Sequence, residues 1–193
     1  MHVKGFEKGS PARFVLIFLS LFAIFFYFNI YFFGITLPGQ HYIPFVANYL
    51  NYIGLLRYIL LSTTAFVVKA FGFTVIHNDW QLLVAGKGSI KVVYSCLGLG
   101  VMSFFAAFVL AYPKKLKAKI TFLLTGLVCI QVLNVLRFVL LSIFWDKKSG
   151  MILDHHTIFN IVIYILITVS LYFWVKHDDH KLLKSAKNRP VIL

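Results

Sequence analysis

Cys129-Ile-Gln-Val-Leu-Asn-Val-Leu-Arg137-Phe-Val-Leu-Leu decides how this chain is read. The run is apolar enough to cross a bilayer, yet it carries an arginine. A guanidinium stays charged at any accessible pH, and holding it at bilayer depth costs at least about 2.5–3.5 kcal/mol. Gln131, Asn134 and Arg137 recur every three residues, so they share one broad helix face. That polar stripe should face other protein rather than lipid, and an arginine so placed marks a functional site whose partners must be sought on neighbouring segments.

The rest of the composition agrees with a membrane protein. Of the 193 residues 60% are hydrophobic and only 13% are charged. Mean hydropathy is +0.85. A soluble domain lies near roughly 45–50% apolar. The length allows one bundle and no separate soluble domain. The net charge of +13 does not point to nucleic acid, because the basic residues collect in short segments beside apolar runs. Cys96 and Cys129 are the two cysteines. One lies near a span end and the other deep within a span, so no disulfide framework is expected. The run from Phe14 to Phe33 is too long for a signal-peptide core and reads as a retained span.

Five apolar stretches emerge at 14–33, 45–72, 97–112, 120–145 and 157–175. Twelve of the nineteen basic residues lie in three groups: Lys4, Lys8 and Arg13; Lys114, Lys115, Lys117 and Lys119; and Lys176, Lys181, Lys184, Lys187 and Arg189. The positive-inside rule puts all three in the cytoplasm, which requires an even number of crossings. The stretch 45–72, which carries Arg57, Lys69 and Ser62-Thr63-Thr64, is therefore assigned as an interfacial or re-entrant helix. The alternative is five spans with the N-terminus outside. The expectation is an all-α integral membrane helical bundle forming a single domain over 1–193. It has a cytoplasmic N-terminus (1–13), four transmembrane helices, an outer β-hairpin or three-stranded flap over 73–95 and a cytoplasmic tail (176–193). Within 73–95, the runs 73–77, 81–85 and 91–95 have strand character, and Asn78-Asp79 and Gly86-Lys87-Gly88 mark turns.

In this topology Cys96, Arg137 and His156 all fall at the extracytoplasmic side. Arg137 lies eight residues from Trp145, about 12 Å of helix rise, within reach of the outer surface. A cysteine at a helix N-terminus has its thiolate, the nucleophilic form, stabilised there. Gly98 and Gly100 permit close approach of another chain. His156, Asn160 and Tyr164 share a face of the last span, with Asp154 as a candidate N-cap. Against this stand structural readings. A boundary cysteine is often an inert small hydrophobe, His155 and His156 suit an interface, and Arg137 alone suits a bundle-bracing role. Asp154, His155 and His156 lack a further ligand cluster, so neither a metal nor any other cofactor is expected.

Cys96-Leu-Gly98 at the head of one span, Asn134-Val-Leu-Arg137 in the next, and His156 opening the last with Asn160 behind it resemble the exosortase/archaeosortase family of membrane transpeptidase-like enzymes. The likeness is carried by about residues 90–170 and fits the compact members. Many members have serine or asparagine directly after the cysteine, where this chain has Leu97. The histidine is doubled, and Asn160 favours His156 over His155. The resemblance implies a membrane-embedded cysteine protease or transpeptidase that processes C-terminal sorting segments of exported proteins at the outer face of the cytoplasmic membrane. It implies Cys96 as nucleophile, Arg137 as anion stabiliser and His156 as proton carrier, with Asn134 and Asn160 orienting them. The substrate would carry a short motif, a transmembrane segment and a basic tail, and water or a lipid or glycan acceptor would resolve the acyl enzyme. The reading from another class is a noncatalytic scaffold or assembly factor in envelope or polysaccharide export. A small transporter fits less well, since paired charges at the midplane are wanting.

Overall fold

The computed structural model describes residues 11–37, 41–144 and 155–187, with side chains in the last helix described at 159 and 161–176. Two units are distinguished, residues 1–150 and 151–193.

In the first unit α1 (Pro11–Thr36) is apolar all round. Its Phe14, Phe18 and Phe22 recur every four residues and so form one ladder. The ladder packs against α4 (Leu99–Ala111), with Phe18 edge-on to Phe104 at 5.3 Å and Phe14 edge-on to Phe108 at 5.4 Å. Each such pair adds about 0.5–1.5 kcal/mol beyond its buried area. A polar tie crosses the same interface. Asn29 Nδ2 donates to Ser103 Oγ at 3.2 Å, and Asn29 Oδ1 accepts from Tyr52 Oη at 2.7 Å.

The stretch expected as one helix over 45–72 is broken into α2 (Pro44–Tyr49) and α3 (Tyr52–Ala70). The break comes from Asn51, whose side-chain oxygen accepts from Gly54 N at 2.8 Å and caps a new helix instead of continuing the old one. α3 buries Ile53, Arg57, Leu60, Leu61, Thr64, Ala65 and Val68 along one face. Its opposite face exposes Leu55, Tyr58, Ile59 and Phe66, an apolar outer surface suited to lipid.

Three antiparallel strands follow: β1 (Val75–His77), β2 (Gln81–Val84) and β3 (Gly88–Lys91), in that order across the sheet. Of the two expected forms the three-stranded one is present, and its third strand starts three residues earlier than the run 91–95. The turn explains the shift. Gly86 and Gly88 both have positive φ, 77° and 146°, and close a short loop that pairs Val84 with Gly88. Pairing then ends at Lys91, opposite Gln81. Val75, Leu82 and Val84 point into a core shared with α3 and with Phe138 and Val139 of α5 (Leu116–Phe144). A 3-10 turn, Tyr94–Leu97, leads from the sheet into α4.

Pro113 ends α4, holding Tyr112 in extended backbone at ψ 135°. Lys119 Nζ donates to Leu110 O at 2.7 Å, placing a cation on the last carbonyls of that helix. In α5, Ile130, Asn134, Arg137, Phe138 and Leu141 are buried, while Leu124, Val128, Val132 and Leu136 are exposed. Gly126 lies beneath the Phe105 ring, which occupies the space of a Cβ.

The second unit contains α6 (His155–Lys187), in which Ile163, Ile167 and Leu171 form a buried stripe at four-residue spacing. By length and composition three helical stretches among the described residues can cross a membrane: 11–36, 44–70 and 116–144. Leu99–Ala111 and Ile161–Lys176 are shorter apolar helices.

Candidate active site

Backbone geometry fixes Cys96. The 3-10 turn that carries it closes with Cys96 N donating to Val93 O at 2.9 Å. Gly98 then adopts the left-handed conformation, φ 72° and ψ 13°, before α4 begins. The reversal needs a residue without a Cβ, and a second reason for glycine comes from α5. A Cβ on residue 98 would stand 2.6 Å from Asn134 Nδ2. The glycine therefore lets the polar stripe of α5 close over the turn.

The stripe does so residue by residue. Gln131 Nε2 donates to Leu97 O at 3.3 Å and also meets Met102 Sδ at 2.7 Å. Asn134 Nδ2 donates to Leu97 O at 3.3 Å and to Gln131 Oε1 at 3.1 Å. One turn further along, Arg137 Nη2 donates to Cys96 Sγ at 3.4 Å. Cys96 is 1% exposed, Asn134 1% and Arg137 2%. The three-residue spacing read from the sequence thus brings Gln131, Asn134 and Arg137 onto the segment that holds Cys96.

Burial sets the electrostatics. A guanidinium withdrawn from water bears a penalty of several kcal/mol unless an anion or strong acceptors face it. A sulfur at hydrogen-bond distance supplies one such acceptor. The arrangement therefore holds the sulfur in place beside the cation. It can also hold an oxygen that becomes negative beside that sulfur, since the guanidinium carries several N–H donors.

His155, His156 and Asn160 belong to α6, and their side chains lie outside the described residues, as does Asp154. Cys129 is exposed on the opposite side of α5 from the stripe and takes no part. Sequence reading did not single out Tyr94, two residues before Cys96, whose ring packs on Phe33 at 4.8 Å. Burial pushes its phenol above the ordinary value. Nor did it find the use of Gln131 as a second donor to Leu97 O, although the three-residue spacing contained that signal. An open apolar cavity of about 530 Å³ lies beside the site, bounded by Phe25, Phe28, Leu55, Leu99, Met102 and Leu127.

Comparison with family models gives a match to the transmembrane exosortases over residues 2–175, a range that contains Cys96, Arg137 and His156. Comparisons with curated proteins and with solved structures give no match. The match spans most of the chain, its apolar helices suit a bilayer, and a buried arginine meets a cysteine at the head of α4; this protein belongs to the transmembrane exosortase family.

Proposed function

We propose that this membrane protein is a cysteine peptidase or transpeptidase that cuts C-terminal sorting segments from exported proteins at the extracytoplasmic face. The observation that carries the reading is the 3.4 Å contact between Arg137 Nη2 and Cys96 Sγ in a site shielded from water. Family membership supports the reaction class.

In the proposed reaction the Cys96 thiol loses its proton to a general base, the role that the family resemblance assigns to His156, and the sulfur attacks a peptide carbonyl. A C–S bond forms, and the oxyanion that develops is met by the Arg137 guanidinium. His156 then returns the proton to the leaving amine as the C–N bond breaks, leaving a thioester on Cys96. Water, or a nucleophile on a lipid or glycan, attacks the thioester while His156 takes its proton, and the thiol is regenerated. Gln131 and Asn134 act on Leu97 O and so set the position of the sulfur. The apolar cavity reaching Leu99 and Met102 offers a surface for an apolar substrate segment.

Four crossings, with 45–72 kept at the outer surface and both termini inside, would put the flap and Cys96 outside together. This topology rests on the basic residues of the termini and of the 113–119 loop. The test of function follows an exported protein with a C-terminal apolar stretch and basic end. Cys96→Ala should leave it uncut while the enzyme still inserts in the membrane. Full processing by that variant would exclude Cys96 as nucleophile.

The noncatalytic scaffold reading draws on the near-complete burial of Cys96. It predicts a thiol that a substrate peptide does not protect from alkylation. The enzymatic reading predicts protection.

A further inference from the structure

A second buried arginine lies outside the Cys96 site. Arg57, on the inner face of α3, is 7% exposed. Its Nε is buried and has no hydrogen-bond partner among the described residues. The Trp80 indole covers one face of the guanidinium, 3.3 Å from Cζ to the ring centroid. The ring is held there by an Asn78 turn, in which Asn78 Oδ1 accepts from Trp80 N and Gln81 N at 2.9 and 2.8 Å. The two side chains open on a small pocket of about 50 Å³, lined also by Thr36, Asn51, Ile53 and Gly54.

This pocket is chemically one-sided. Asn51 uses its oxygen on Gly54 N, which leaves its amide nitrogen as a donor. Thr36 lies on the same wall, its hydroxyl donating to Phe33 O at 3.1 Å. Among the described residues no carboxylate lines the pocket, and Asp79 acts on Arg57 through space. With one face closed by indole, the guanidinium recognises a ligand edge-on through its N–H groups, the geometry that suits oxyanions.

Position identifies the source of the oxyanion. Thr36 is the last residue of α1, whose 26 apolar-rich residues span about 39 Å. The pocket therefore lies where that span leaves the hydrocarbon and lipid headgroups begin. Tyr42, Tyr49, Tyr52 and Tyr58 are exposed on the segments around it, as in an interfacial aromatic belt. We propose that the Arg57–Trp80 pocket binds the phosphate of a membrane-lipid headgroup. The bound phosphate would brace the segment that leads into the turn carrying Cys96. Trp80 O accepts from Val92 N at 2.8 Å, and Phe33, which lines the pocket, packs on Tyr94. This proposal does not depend on the catalytic reading.

The test uses the full chain stripped of lipid in a phosphate-free maltoside detergent. Phosphatidylcholine and a glucosyl diacylglycerol with the same acyl chains are added separately. Both are net neutral, so the lysine-rich segments contribute equally. Native mass spectrometry should show phosphatidylcholine held about tenfold more tightly, with a matching rise in thermal midpoint. Arg57→Gln should abolish the difference and Trp80→Leu should reduce it, whereas Asp79→Asn should preserve it. Equal retention of the two lipids by the unaltered protein overturns the proposal without requiring that any variant fold. Full reproduction of the thermal shift by inorganic phosphate alone overturns the lipid source. Loss of the lipid difference in Asp79→Asn assigns the role to Asp79 and also overturns it.

Discussion

Gly98 and Asn134 meet at the point where the turn carrying Cys96 passes under α5: a Cβ at position 98 would lie 2.6 Å from Asn134 Nδ2. The glycine also has φ 72°. Gly98→Ala therefore meets two obstacles, a strained backbone and a clash, and should lower stability by about 1–3 kcal/mol. Asn134→Ala removes the clash but not the strain, and it also removes two hydrogen bonds of about 1 kcal/mol each. The double variant should be less destabilised than the sum of the singles, because the steric part is shared. Chemical or thermal unfolding of the four proteins in detergent measures the coupling. Additive losses would show that the close approach carries no energy.

Arg137→Lys keeps the charge and loses the planar set of donors. If Arg137 meets a developing oxyanion, processing should slow by about 10²–10³-fold. His156→Ala should abolish processing and His155→Ala should not. Initial rates on one exported substrate test all three variants together. Normal activity of Arg137→Lys would reduce the arginine to bulk positive charge, and the opposite histidine result would move the proton carrier to His155.

Tyr94, two residues before Cys96, gives a pH signature. Its hydroxyl is buried without a hydrogen-bond partner among the described residues, and burial raises its pKa. A phenol that holds its proton more tightly in the folded state contributes full stability below its unfolded value, near 10. That contribution is lost as pH rises toward the folded value. Unfolding measured from neutral to strongly alkaline pH should show this fall, and Tyr94→Phe should lessen it, leaving the part due to Tyr52, whose phenol burial pushes up to about 12. At neutral pH the variant should be within about 1 kcal/mol of the parent, because no hydrogen bond to a described residue is broken. An undiminished alkaline fall in Tyr94→Phe would assign the effect to another group.

Sidedness is tested by single cysteines introduced at Ser89 in the flap and Lys117 in the basic loop, in a Cys96→Ala, Cys129→Ala background. An impermeant thiol reagent added to intact cells should label position 89 and spare 117. The reverse pattern would put Cys96 at the cytoplasmic face and remove exported proteins as substrates.

Much of this was legible in the sequence because the membrane makes certain residues costly. Arg137 and the three-residue spacing to Asn134 and Gln131 identified the inner face of α5 before any contact was visible. The apolar runs marked the helices, although α1 extends beyond 14–33 at both ends and α5 begins four residues before the stretch 120–145. The break at Asn51 was hidden, since one local hydrogen bond to Gly54 N interrupts a stretch whose composition stays mostly apolar on both sides. The third strand was displaced because Gly86 and Gly88 set the register from the turn, while the β-branched residues Val92 and Val93 drew attention further along. Arg57 stood out as a charge in an apolar stretch. Its stacking partner Trp80 is twenty-three residues away, on a turn whose position depends on the whole sheet. The union of Cys96 with Arg137 depends on a left-handed glycine, and one-dimensional spacing does not convey that conformation.

Acylation of Cys96 is read by intact-protein mass spectrometry of the enzyme mixed with substrate and quenched in acid. The mass should increase by that of the retained substrate fragment, with the adduct released by hydroxylamine as a thioester is, mapped to Cys96 and missing from Cys96→Ala. Substrate cleavage with no such adduct at Cys96, or an adduct mapped to Cys129, would contradict this acylation.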